Sequence, residues 1–141
     1  MLTKKLISII DDDEGCREAI TGLMKSAGYE VAAFGSATDF LASPEARQIP
    51  CLIADVHMPG MTGTDLHRRL TELGYSVPTI LITAYPDDPA RARALAEGVV
   101  CYLTKPFDVD TLLGCVQSAL QLVNRRSTAP CARGTVSKKT G

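Results

Sequence analysis

Five short apolar runs recur along this chain, and they constrain its fold more than any other feature. They are Lys5 to Ile10, Tyr29 to Phe34, Cys51 to Asp55, Pro78 to Thr83 and Val99 to Thr104. A strand with one wet face alternates apolar and polar residues. Runs that stay apolar instead are buried on both faces, as strands of a parallel sheet are. Parallel strands need crossovers, and segments of helical period fill the intervals. Five strands alternating with five helices through right-handed crossovers make a doubly wound, five-stranded α/β sandwich.

The helical segments carry their own boundaries. Cys16, Ala19, Ile20, Leu23, Met24 and Ala27 fall at helical spacing, and Gly28 follows as a C-cap. Ser36 and Asp39 frame a helix start, with Phe40 and Leu41 on its buried face before Ser43-Pro44 closes it. Gly63 to Leu73 puts Leu66, Leu70 and Leu73 on one face and Arg68, Arg69 and Glu72 on the other. His67 stands there in a polar stretch without a partner and is expected on the surface. Asp87-Asp88-Pro89 opens a helix that ends at Gly98. The last is expected from about Asp108 to Val123, with Val109, Leu112, Leu113, Val116, Leu120 and Val123 apolar.

With 141 residues, one domain is expected over residues 1–123. Residues 124–141 lose the apolar period to Ser, Thr, Pro, Gly and charge, and a disordered basic tail or linker is expected there. Ten basic residues face 16 acidic ones up to Val123, a net charge of −6, and five more basic residues follow. That sign argues against nucleic-acid binding by the domain, and no helix-turn-helix pattern follows residue 123. No apolar stretch approaches the ~18 residues of a membrane span, and the run after Lys5 is too short for a secretory leader. A cytoplasmic location without membrane contact is the expectation. Cys16, Cys51, Cys101, Cys115 and Cys131 are odd in number, widely spaced and lack a C-x-x-C pair, so neither a zinc site nor a disulfide framework fits. Cys51 and Cys101, inside apolar runs, read as small core residues.

The chemistry gathers where strands end. Asp11 and Asp12 follow the first run, Asp55 closes the third, Thr83 the fourth, and Lys105 follows the fifth. In a doubly wound sheet these ends lie along one edge, where ligands sit. Taken singly, the acidic residues would serve as helix-dipole partners or caps, and Thr83 and Lys105 as solvated groups. Their convergence is what carries meaning. Carboxylates crowded together need a balancing cation, and an all-oxygen site suits a hard ion such as Mg²⁺. A carboxylate nucleophile beside a lysine and a hydroxyl describes phosphoryl transfer onto Asp55 as an acyl phosphate.

In Ile10-Asp11-Asp12-Asp13 with Arg17, Asp55-Val-His-Met-Pro-Gly-Met-Thr-Gly63, Leu81-Ile-Thr-Ala84 and Tyr102-Leu-Thr-Lys-Pro-Phe107, the chain resembles the receiver domain of two-component response regulators, in look those of helix-turn-helix-linked regulators. The resemblance covers residues 4 to about 123. It implies a flavodoxin-like sheet of order 2-1-3-4-5 and Asp55 as phosphoacceptor. Mg²⁺ would be held by Asp12, Asp55 and the His57 carbonyl, with Asp11 acting through water. Lys105 would contact the phosphoryl group, Pro106 would be a cis-proline, and Thr83 and Tyr102 would be the switch residues. His57 and Tyr85 stand where the family's side chains influence the lifetime of the acyl phosphate. The implied partners are a sensor histidine kinase and a downstream effector protein or output domain, and the resemblance allows a phosphorylation-dependent homodimer. The chain would be a stand-alone receiver or a fragment of a longer transcriptional regulator. It would not be an enzyme in the ordinary sense but a switch that assists its own phosphorylation and dephosphorylation.

Rival readings fare worse. A phosphatase of the haloacid-dehalogenase kind needs a second Asp two residues after the nucleophile, where His57 stands. A pure interaction module has no use for the intact set Asp12, Asp55, Thr83 and Lys105. Nucleotide-binding relatives of the fold would show G-x-G-x-x-G or a P-loop, and neither is present.

Overall fold

A computed structural model describes residues 5–43 and 50–128, and of 123–128 the backbone alone. The strands are β1 (Leu6–Ile10), β2 (Glu30–Phe34), β3 (Cys51–Asp55), β4 (Thr79–Thr83) and β5 (Cys101–Thr104). They form one sheet in the order β2-β1-β3-β4-β5, every pair parallel. The helices are α1 (Glu14–Ser26), α2 (Ala37–Leu41), α3 (Gly63–Glu72), α4 (Asp88–Ala96) and α5 (Val109–Thr128). Strand order reverses between β1 and β3, which opens a crevice beyond their carboxyl ends.

The continuous apolar character of the strands is used on both faces. Alternate residues of β3 and β4 go to opposite sides, since successive strand side chains do. Leu52, Ala54 and Leu81 join Phe40, Leu66, Leu70, Ala94 and Tyr102 in one core. Cys51, Ile53, Ile80 and Ile82 join Ile20, Met24, Leu112, Val116 and Ala119 in the other. Fully burying one such Leu or Ile contributes about 1.5–3 kcal/mol, so β3 and β4, buried along their whole length, are the rigid floor under the site. Among the described residues no helix is long and apolar enough to cross a membrane.

The caps read from sequence are made. Ser36 Oγ accepts from Asp39 N at 3.1 Å and Asp87 Oδ1 from Ala90 N at 3.2 Å. Gly28 and Gly74 end α1 and α3 at φ of 96° and 88°, the left-handed region that glycine enters freely. Two expectations need correction. His67 is buried at 6% exposure and Leu73 is 46% exposed. The buried stripe of α3 is Gly63, Leu66, His67 and Leu70, a set of i, i+3, i+4, i+7 positions that leaves the C-terminal Leu73 beyond the sheet. α5 runs from Val109 through Thr128, longer than the helix expected to end at about Val123. The remainder of the expected tail, 129–141, and the Pro44 end of the second helix lie outside the described residues.

Gly63 ties the fold to the site. A Cβ there would meet the backbone oxygen of Asp55 at 2.5 Å and Leu81 Cδ2 at 3.1 Å, while Gly63 N donates to Val56 O at 3.1 Å. Helix α3 therefore starts directly against the strand end that carries Asp55. Alanine is the better helix former by up to ~1 kcal/mol, but the clash is with backbone and costs about 1–3 kcal/mol. The expected result is that Gly63→Ala lowers the urea midpoint of unfolding; an unchanged or raised midpoint would show that Asp55 can move aside.

Candidate phosphoacceptor site

β1 and β3 end side by side, and their register, Ile10 opposite Ala54, sets Asp11 opposite Asp55 one step further on. One carboxylate oxygen from each of Asp11, Asp12 and Asp55 lies within 4.8 Å of the others. Asp11 is 2% and Asp55 7% exposed, while Asp12 faces solvent. β5 delivers the counter-charge. Lys105 Nζ stands 3.2 Å from Asp55 Oδ1 and 3.4 Å from Asp11 Oδ2, and its peptide bond to Pro106 is cis.

Two of the three carboxylates, Asp11 and Asp55, share one ammonium. Burial, then the Asp11 charge, raises the Asp55 carboxyl above its usual range, with Asp12 adding to the rise and Lys105 opposing it. Burial alone would lower Lys105, but the Asp11 charge and its hydrogen bond and charge pairing with Asp55 outweigh it and raise the ammonium. Both partners of one ion pair thus move upward: at Asp55 burial and two neighbouring anions outweigh one cation, and at Lys105 two anions outweigh burial. An all-oxygen cluster left short of positive charge fits a hard divalent ion.

The neighbouring loops complete the rim. Thr83 Oγ1 accepts from Tyr85 N at 2.9 Å and donates to Tyr85 O at 3.3 Å, so its hydroxyl is engaged by the β4–α4 loop. His57 and Tyr85, from the loops after β3 and β4, touch edge to face with ring centroids 5.1 Å apart. Tyr102 is buried at 8% exposure, in the core cluster that also holds Ala94 and Val99. Burial first, then Asp87, raises its phenol.

Asp11, Asp12, Asp55 and Lys105 therefore meet, Thr83 and His57 flank them, and Tyr102 lies inside beneath α4. Two neighbours have no role in the sequence reading. Arg17 Nη1 donates to the Asp11 carbonyl at 2.7 Å. The Cys16 thiol lies against Asp11 and Lys105; burial, then the Asp11 hydrogen bond and charge, pushes it up to about 11, so it stays protonated at neutral pH. Their spacing from Asp11 on a helix that starts at Glu14 was the available signal; the sequence reading went no further than the helical spacing of Cys16.

This edge, with a carboxylate cluster, a lysine and a threonine one strand away, sits at the switch point of a doubly wound α/β module. The chain belongs to the response regulator receiver domain family, whose sequence pattern matches residues 7–117. It is 42% identical over 126 residues to the response regulator protein TodT of Pseudomonas putida, a match covering 89% of this chain and 56% of TodT. It is 35% identical over 121 residues to the transcriptional regulatory protein FixJ of Bradyrhizobium diazoefficiens, covering 86% and 59% of the two chains. Among solved structures, the response regulator StyR superposes with a TM-score of 0.83 at 38% identity, over 91% of this chain and 65% of that one. The FixJ-N structure superposes with a TM-score of 0.76 at 30% identity, over 85% and 96%. The chain spans less than two thirds of the length of the two curated relatives.

Proposed function

We propose that Asp55 accepts a phosphoryl group from the phosphohistidine of a sensor histidine kinase, in the cytoplasm, and that the acyl phosphate switches a protein-interaction surface. The observation that carries this reading is the sharing of Lys105 between Asp11 and Asp55, with Asp12 alongside. An Asp55 oxygen attacks phosphorus, the phosphorus–nitrogen bond breaks, and the imidazole leaves with a proton. Lys105, already 3.2 Å from Asp55, holds an oxygen of the transferred group, and Thr83 exchanges its bond to the Tyr85 carbonyl for another. Asp12, Asp55 and the His57 carbonyl, with Asp11 through water, would hold Mg²⁺, which supplies neutralisation of the developing charge. The same groups assist the later attack of water, and the exposed edge-to-face pair of His57 and Tyr85 stands where it tunes that step.

The response is carried to the face of α4, β5 and α5. Thr83 leads into α4 and Tyr102 lies beneath it, so a threonine that moves repacks one surface. The partner on that face is a downstream effector protein or an output domain, of the kind that transcriptional regulators such as FixJ imply by their name, or a second copy of the chain. Incubation with acetyl phosphate and Mg²⁺ is expected to add the mass of one phosphoryl group. Borohydride reduction should then place it at Asp55 as homoserine. A mass gain that persists after chelation of the metal, or one that maps elsewhere, would overturn the reading.

A further inference from the structure

We propose that Arg17 is a positioning residue for the metal-binding carboxylates, holding the peptide plane that aims Asp12. The inference rests on the reading of Asp11, Asp12 and Asp55 as the Mg²⁺ site. Asp11 is pinned at every polar atom: its N–H donates to Phe34 O at 3.1 Å, its carbonyl accepts from Arg17 Nη1 at 2.7 Å, Oδ1 accepts from Asp13 N at 2.9 Å, and Oδ2 from Lys105. Asp12 is the opposite case. It is exposed, and none of the described residues donates a hydrogen bond to its carboxylate.

What orients Asp12 is therefore its backbone. A peptide unit is planar, so a side chain between two fixed planes has a fixed root. The plane before Asp12 is held by Arg17 on the Asp11 carbonyl. The plane after it is held by the Asp13 N–H on Asp11 Oδ1. Arg17 is itself anchored in the first turn of α1, its N–H on Asp13 O at 2.9 Å, and its guanidinium lies beside Gly35, where a Cβ would stand 3.6 Å from Nη1. The turn after β2 thus backs the arginine, which backs the loop that presents the metal ligand. Second partners of this kind set metal affinity by orienting the ligands they hold.

Charge and positioning predict opposite signs, which makes the test sharp. Removing a cation near three carboxylates would by Coulomb attraction alone tighten Mg²⁺ binding. Loss of the held plane weakens it. By calorimetric titration with Mg²⁺, Arg17→Gln is expected to raise the dissociation constant by about 10-fold, the lower end for outer-sphere partners. Arg17→Lys, which keeps the charge and one donor, should fall between. Phosphoryl transfer from acetyl phosphate should recover in Arg17→Gln as Mg²⁺ is raised, so the half-saturating concentration moves while the plateau rate stays. Equal or tighter Mg²⁺ binding by Arg17→Gln would overturn the proposal, and if that variant does not fold, wild-type affinity in Arg17→Lys would do so. Failure of the wild-type protein to bind Mg²⁺ at all would instead refute the metal-site reading on which the proposal stands.

Discussion

Asp55→Asn is expected to abolish phosphoryl labelling and, at the same time, to raise the melting temperature of the metal-free protein at neutral pH. The first effect follows because the amide is no nucleophile toward phosphorus. The second follows from the cluster's electrostatics, since Asp55 is buried beside Asp11 and Asp12 and shares its one lysine with Asp11. Its carboxyl is raised by burial and by those neighbours. A carboxyl with a raised folded-state pKa binds its proton more tightly when folded than when unfolded. Its charged form then opposes folding, so stability from this group falls as pH rises through the folded pKa, and the full penalty stands above it. Asparagine never ionises and escapes it. For a domain of this size each kcal/mol relieved is worth about 2–5 °C. Mg²⁺ should reverse the order of the two proteins, because it stabilises the wild type by mass action and loses a ligand in the variant. Thermal scans with and without millimolar Mg²⁺ would decide; a metal-free variant that melts below wild type would show that the cluster is not strained.

The opposite stability change is expected on the other side of the same ion pairs. Lys105→Met keeps the length of the side chain but leaves Asp11 and Asp55 with no ammonium. Breaking a buried pair costs about 3–5 kcal/mol; with Lys105 23% exposed, a loss nearer 2–3 kcal/mol at neutral pH is expected. The ammonium is raised by its carboxylate partners despite burial. Its stabilisation is therefore fully present below the lysine's unfolded pKa and is lost only as pH rises through the higher folded one. The difference between Lys105→Met and wild type should accordingly persist across neutral pH and shrink in acid, where protonation relieves the carboxylates. Phosphoryl transfer should fall by roughly 10²–10³, the effect of removing one preorganised donor to a developing oxyanion. Equal urea midpoints for the two proteins at neutral pH would contradict the assignment of Lys105 as the balancing charge.

Much of this was legible in the chain because each signal was local. Ile53 and Ile82 mark strands by being apolar where a half-exposed strand would be polar, and Ser36 and Asp87 mark helix starts because their oxygens reach an N–H three residues on. Topology then required Asp11, Asp55 and Lys105 to share an edge, although Lys105 and Asp11 are far apart in sequence. His67 was not legible. Its polar neighbours Arg68 and Arg69 suggested an exposed stretch, whereas its position one turn from Gly63 and Leu70 put it under the helix, where burial lowers its pKa. Nor were the contacts of Cys16 and Arg17 with Asp11, since the angle at which α1 leaves β1 is not written in any spacing.

By itself the order of residues determined the parallel sheet, the edge on which the chemistry collects and the residue types that meet there, because hydrophobic period and right-handed crossover leave little freedom in those matters. Only the tertiary structure decided how the charges are divided. Lys105 lies between Asp11 and Asp55, Thr83 is held by its own loop, and Arg17 grips the carbonyl behind Asp12. Those are distances of a few ångströms between segments remote in the chain, and they follow from how the helices seat on the sheet, which packing of both cores sets and no local pattern encodes.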